Sequence, residues 1–112
     1  MNGPEKNLKI LSLQYHCYPD EVGGAWGLTH QVNKRLVARG QQVYLITCKP
    51  LESLPNDEEI DGISFHRISV RESKNFFSLW RAVRKIVKHI LKSGEINLIH
   101  IHNPLVGFMA IL

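Results

Sequence analysis

The chain has 112 residues, 44% hydrophobic and 21% charged, with a formal net charge of +4 at pH 7. This is one domain at most, with enough apolar matter for a core, and it excludes disordered, collagen-like and low-complexity classes. Two cysteines without CxxC spacing exclude a disulfide framework, and no apolar run approaches the ~18 residues of a membrane span. Residues 1–9 are polar and hold no apolar signal core, so a cytoplasmic setting is expected. The modest positive charge permits an anionic partner and does not require nucleic acid.

Residues 8–13 are almost continuously apolar, as befits a strand covered on both faces by helices. A glycine-rich turn, Gly23-Gly24, then opens an amphipathic helix with Ala25, Leu28, Val32 and Leu36 at helical spacing. Gly40 suits the C′ position that ends it. Residues 43–46 form a second buried strand, so strand, helix and strand make a βαβ unit with parallel strands. Residues 48–62 read as a polar loop. The strand over residues 63–68 alternates more and is expected at a sheet edge.

Asn75 is placed to cap a long helix from Phe76 to about Ser93, with an apolar stripe of Phe76, Trp80, Val83, Val87 and Ile90. Residues 96–101 make a fourth strand. Asn103 and Pro104 then start another helix as N-cap and N1. Residues 105–112 are almost wholly apolar and carry no cap, so the chain reads as the front portion of something larger. The expected fold class is α/β, a Rossmann-like parallel sheet of order 3-2-1-4 with helices on both faces. Residues 1–7 are expected to be a flexible N-terminus, and residues 8–112 a partial domain.

The glycine pair is the candidate anion cradle. Bare amides at a helix N-terminus combine unpaired N–H groups with the positive end of the helix dipole, and glycine lets a phosphate approach closely. A tight connection without a ligand is the plainer reading, but residues 14–24 make a long loop at a strand end, where function concentrates. Gly23, Gly24 and Gly27 do not spell G-x-G-x-x-G, and no acidic ribose ligand follows the second strand, which argues against NAD. A P-loop motif is absent from the sequence.

His100 and His102 fall two apart on the fourth strand, so they share a face. In a 3-2-1-4 sheet His102 would meet Gly23-Gly24 across the switch-point crevice, where open α/β sheets bind ligands. His16 with these two lacks supporting carboxylates or thiolates, so no metal is expected. Arg81, Arg84, Lys85, Lys88 and Lys92 form a basic helix face. A solvated surface is its usual explanation; a peripheral membrane face, helped by Phe76, Phe77 and Trp80, is the functional one. Cys17 and Cys48 read as buried free thiols.

Tyr18-Pro19, Gly23-Gly24-Ala25, Gly40, Val43-Tyr44-Leu45-Ile46-Thr47, Asp61-Gly62-Ile63, His66-Arg67 and Ile99-His100-Ile101-His102-Asn103-Pro104 fall in one order. That ordered set resembles the N-terminal, acceptor-side domain of glycosyltransferase family 4, whose members are retaining transferases of the GT-B fold. The resemblance runs from about Leu8 to Leu112.

It implies a hexosyltransferase-type enzyme that moves a sugar from a nucleotide-sugar co-substrate to a sugar or lipid-linked acceptor, with no cofactor or metal. By the same resemblance Gly23 and Gly24 would hold the donor diphosphate, and His102 would lie beside the transferring sugar as the catalytic histidine. Basic and aromatic N-domain helices bind membranes in lipid-glycosylating members, which maps onto the face of Arg81, Arg84, Lys85, Lys88 and Lys92.

Trp26 stands where members commonly carry a glutamate. The C-terminal donor domain, with its paired glutamates, is absent from this sequence. The chain is therefore expected to be an incomplete N-terminal domain, inactive alone and completed by its C-terminal domain or a second chain. A non-catalytic binding or assembly module that kept the fold is the alternative.

Overall fold

The computed structural model describes residues 7–15 and 24–101. Its elements in chain order are β1 (Lys9–Leu13), α1 (Gly24–Ala38), β2 (Gln42–Cys48), β3 (Asp57–Ile60), β4 (Ile63–Ile68), the short α2 (Val70–Ser73), α3 (Phe76–Leu91) and β5 (Leu98–Ile101). One sheet orders them β3-β4-β2-β1-β5. β1 pairs in parallel with β2 and β5, and β2 pairs in parallel with β4. The four parallel strands thus take the 3-2-1-4 order expected from the sequence.

The sheet divides the core in two, because successive strand side chains point to opposite faces. Leu11, Leu13, Ile46, Cys48 and Ile68 pack against Leu79, Ala82, Val83 and Ile90 of α3. Ile10, Val43, Leu45, Ile63 and Phe65 pack on the other face, against Leu36 and Val37 of α1. α3 is capped as the sequence implies: Asn75 Oδ1 accepts from the N–H groups of Phe77 and Ser78, at 2.9 and 3.3 Å. Its C-terminal end is tied to the start of β1. The buried Lys9 ammonium donates to the Ile90 carbonyl at 3.0 Å and to Ser93 Oγ. α3 therefore runs antiparallel to the strands, with its N-terminus toward their carboxyl ends.

Three expectations are corrected. The segment 48–62 is not all loop, because Asp57–Ile60 forms β3, antiparallel to β4. Consequently β4 is an inner strand and not an edge. β3 carries no apolar alternation to announce it; its pairing is made by the hairpin turn and by cross-strand side-chain contacts. Asp61 (φ 53°) and Gly62 (φ 80°) are both left-handed, the backbone that a two-residue primed turn demands. His66 Nδ1 lies 3.0 Å from Asp57 Oδ1, and the buried Arg67 donates to Glu58 Oε1 at 2.7 Å.

The third correction concerns α1. Leu28 and Val32, expected to face the sheet, are 69% and 40% exposed. His30 and Asn33 are buried in their place. Polar groups can be buried when they are paired, and His30 Nε2 meets Asp61 Oδ2 at 2.9 Å while its ring lies 6.4 Å from that of Phe65. The α1 face that docks is the one that fits the β3–β4 hairpin. Phe76, assigned to the apolar stripe of α3, is likewise 47% exposed.

The His30 contact carries a pH dependence. The hydrogen bond from His30, followed in size by the opposing effect of desolvation and then by the charge of Lys34, holds the Asp61 carboxyl below its ordinary value. A carboxyl depressed on folding stabilises the fold above its unfolded pKa, and that contribution is lost as pH falls through the folded value. The urea midpoint should therefore drop as pH is lowered below about 4. Asp61→Asn, which keeps a residue tolerant of positive φ, should flatten that drop. An identical acid profile in parent and variant would show that the pair does not couple to folding.

Candidate active site

The carboxyl ends of β1 and β5, neighbours at one edge of the described sheet where the order reverses, mark the switch point where open α/β sheets take ligands. The chain leaving β1 is held toward β2 there. The Gln14 N–H donates to the Ile46 carbonyl at 3.0 Å. The Tyr15 carbonyl accepts from the Cys48 N–H at 3.1 Å and from Thr47 Oγ1 at 3.1 Å. α1 then begins at Gly24, so the amides of its first turn belong to this end of the sheet. A helix start of that kind is suited to an anion.

Of the residues assigned to the donor site and to catalysis, Gly24 is the first residue of α1. Gly23 and His102 lie outside the described residues, as do His16 and Cys17. His100 is on β5, in register with Ser12 of β1 and exposed. Every described residue of β5 is exposed, Leu98, Ile99 and Ile101 included.

The structure adds residues that the sequence reading passed over. Ser12, Gln14 and Asn33 are buried, and Ser12 Oγ, Gln14 Oε1 and Asn33 Oδ1 have no hydrogen-bond partner among the described residues. Ser12 shares the α1-facing side of β1 with Ile10, and Asn33 belongs to α1 itself. Buried polar atoms left without partners ask for water or a ligand group. The signal was present as two polar residues, Ser12 and Gln14, at the end of an apolar strand run.

Cys48 is buried among the α3-side core residues, and burial pushes its thiol up to about 12. It is a packing residue and no nucleophile. Among the described residues there is no group of three or more His, Cys, Asp or Glu arranged to hold a metal ion. No described helix is long and apolar enough to cross a membrane.

The sequence profile of Glycosyltransferase Family 4 matches residues 22–112. This chain belongs to glycosyltransferase family 4. Among solved structures it is similar to sucrose-phosphate synthase from Thermosynechococcus elongatus, with a TM-score of 0.65 and 20% sequence identity over 94% of this chain and 29% of that one. At that identity the likeness speaks for the fold, a Rossmann-like portion of GT-B architecture. The chain spans less than a third of the length of that structure. Comparison with curated proteins gave no match.

The basic residues of this family 4 chain divide between two places. Arg81, Arg84, Lys85 and Lys88 line one groove of α3 together with Phe77 and Trp80. Lys92 caps the far end of the helix and lines a separate cavity with Tyr44, His66 and His89.

Proposed function

We propose that this chain is the acceptor-side portion of a retaining, hexosyltransferase-type glycosyltransferase that uses a nucleotide-sugar donor. The observation that carries the reading is α1 starting at Gly24 at the carboxyl end of a parallel sheet, in a chain that matches family 4 from residue 22 onward. The amides at Gly23 and Gly24 would bind the donor diphosphate, where the helix dipole favours negative charge. His102, directly following β5 in sequence, would act on the transferring sugar. Transfer would need no metal or cofactor, since backbone amides would carry the diphosphate charge that a divalent ion otherwise neutralises. Donor binding and turnover would require a C-terminal domain, supplied by the same polypeptide or by a second chain, and the protein would work in the cytoplasm.

Gly24→Val in the complete enzyme tests the cradle. A branched side chain at the first helical position should hinder close approach of the diphosphate, while valine is better tolerated than glycine in a helix. Displacing the reacting groups by about 1 Å can cost ~10²-fold, so donor kcat/KM should fall by roughly 10- to 100-fold with the melting temperature held. Activity within twofold of the parent would place the donor elsewhere. Turnover should also survive chelation of divalent ions, and a loss restored by added metal would overturn the metal-free reading.

A further inference from the structure

β1 does not end as regular pairing with β2 requires. Leu13 is in register with Ile46, and the Gln14 N–H donates to the Ile46 carbonyl in the regular way. The next bond of a parallel ladder would run from the Cys48 N–H to the Gln14 carbonyl. It runs instead to the Tyr15 carbonyl, at 3.1 Å. One extra residue therefore sits on β1, which makes a β-bulge, a device that re-aims side chains beside functional sites. The buried Thr47 hydroxyl donates to the same Tyr15 carbonyl at 3.1 Å and locks the irregular pair in place.

What the bulge holds is Gln14. Leu13 and Tyr15 on either side of it pack with the α3-side core, so the Gln14 side chain points to the α1 side, as Ser12 does. Gln14 and Ser12 are 4% and 0% exposed, and neither Gln14 Oε1 nor Ser12 Oγ has a hydrogen-bond partner among the described residues. Ile10, earlier on the same side, is ordinary apolar core. The polar stretch starts only at the carboxyl end of the strand, the end where α1 begins at Gly24. Buried acceptors without donors destabilise a fold, and apolar side chains of similar size would serve it better unless a ligand supplies the missing partner.

We propose that Gln14, backed by Ser12, is a binding residue of the crevice and takes a hydroxyl of a substrate sugar. The inference rests on the glycosyl-transfer reading above and adds a residue to it. Acceptor oxygens repel phosphate, so this floor complements the amides at the start of α1. Those amides donate to a diphosphate, while Gln14 Oε1 accepts from a neutral hydroxyl. A carboxamide also presents two N–H donors beside its oxygen, a combination that fits adjacent hydroxyls of a hexose. Thr47 is a positioning residue, acting on the sugar only through the bulge.

The test compares the complete enzyme with its Gln14→Met variant, in which an apolar chain of nearly the same length replaces the carboxamide. Uridine-, guanosine- and adenosine-diphosphate hexoses serve as donors, and free hexoses and alkyl hexosides as acceptors. The KM for one substrate should rise roughly 10-fold, while the melting temperature of the ligand-free protein holds or rises because an unpaired buried acceptor is gone. A rise confined to the donor KM identifies a hydroxyl of the donor sugar, and one confined to the acceptor KM a hydroxyl of the acceptor. Ser12→Ala should show the same opposition of binding and stability on a smaller scale. Thr47→Val should raise the same KM, and Thr47→Ser, which keeps the hydroxyl, should restore it.

Both KM values within twofold of the parent in Gln14→Met would overturn the proposal, whatever its melting temperature. A Gln14→Met chain that fails to fold would overturn it as well, since a side chain kept for a ligand is dispensable to the fold. A parent that transfers no hexose refutes the glycosyl-transfer reading itself; a parent that transfers while its variants match it refutes this inference alone.

Discussion

Replacing His102 by alanine in the complete enzyme should lower turnover by ~10²–10³-fold while leaving the urea midpoint of the folded protein unchanged. The last described residue, Ile101, pairs with Leu13 at the carboxyl end of β1, and His102 is next in sequence. We propose that its imidazole donates a hydrogen bond to a hydroxyl of the transferring sugar and stabilises charge as the glycosidic bond breaks. A preorganised donor of this kind costs nothing to reorient during the reaction, which is why removing one is expensive. An interaction made only in the transition state lowers kcat and kcat/KM by the same factor, so the two constants should fall together. His100→Ala is the matched control. His100 is exposed on β5 opposite Ser12, and its loss should leave turnover within a few-fold of the parent. If His100 governs rate and His102 does not, the site assignment fails.

The largest stability effect is expected at Gly62→Ala. Gly62 has φ 80°, and a Cβ built there would lie 2.5 Å from Val37 Cγ1. Two costs therefore add. A side chain in the left-handed region loses about 1–2 kcal/mol, and overpacking of a close contact loses about 1–3 kcal/mol. A total of roughly 2–5 kcal/mol is a large share of the 5–15 kcal/mol that holds a domain together. The loss should appear as a lower urea midpoint with an unchanged slope. Because part of it is a clash with one named side chain, Val37→Ala in the same chain should recover the overpacking portion and leave the backbone portion. A double-mutant cycle measures that coupling directly. Additive single effects would show that α1 does not seat against the hairpin at this point.

The parallel order of the sheet was legible because its signals are local. Ile10-Leu11 and Leu13 of β1, and Val43 and Leu45-Ile46 of β2, are apolar on both faces, which only a strand between two helical layers requires. Asn75 and Gly40 announced helix ends by their own chemistry, the first through its side-chain oxygen and the second through its φ of 88°. The ordered glycine and histidine positions carried the family, and with it the direction in which to look for a site.

What the sequence did not determine was any choice between competing partners. α1 carries Leu28, Val32 and Leu36 along one stripe, and Val37 about half a turn from Leu28. Its docking face was decided by what waited on the sheet: the space above Gly62 for Val37, the ring of Phe65, and the Asp61 carboxylate that lets a buried histidine be satisfied. β3 likewise has no hydrophobic pattern of its own, and the carboxylates of Asp57 and Glu58 find their side-chain partners, His66 and Arg67, only on β4 across the pair. Propensity and periodicity describe one segment at a time. The free energy of a buried polar pair, or of a Cβ-sized gap, exists only once two segments meet.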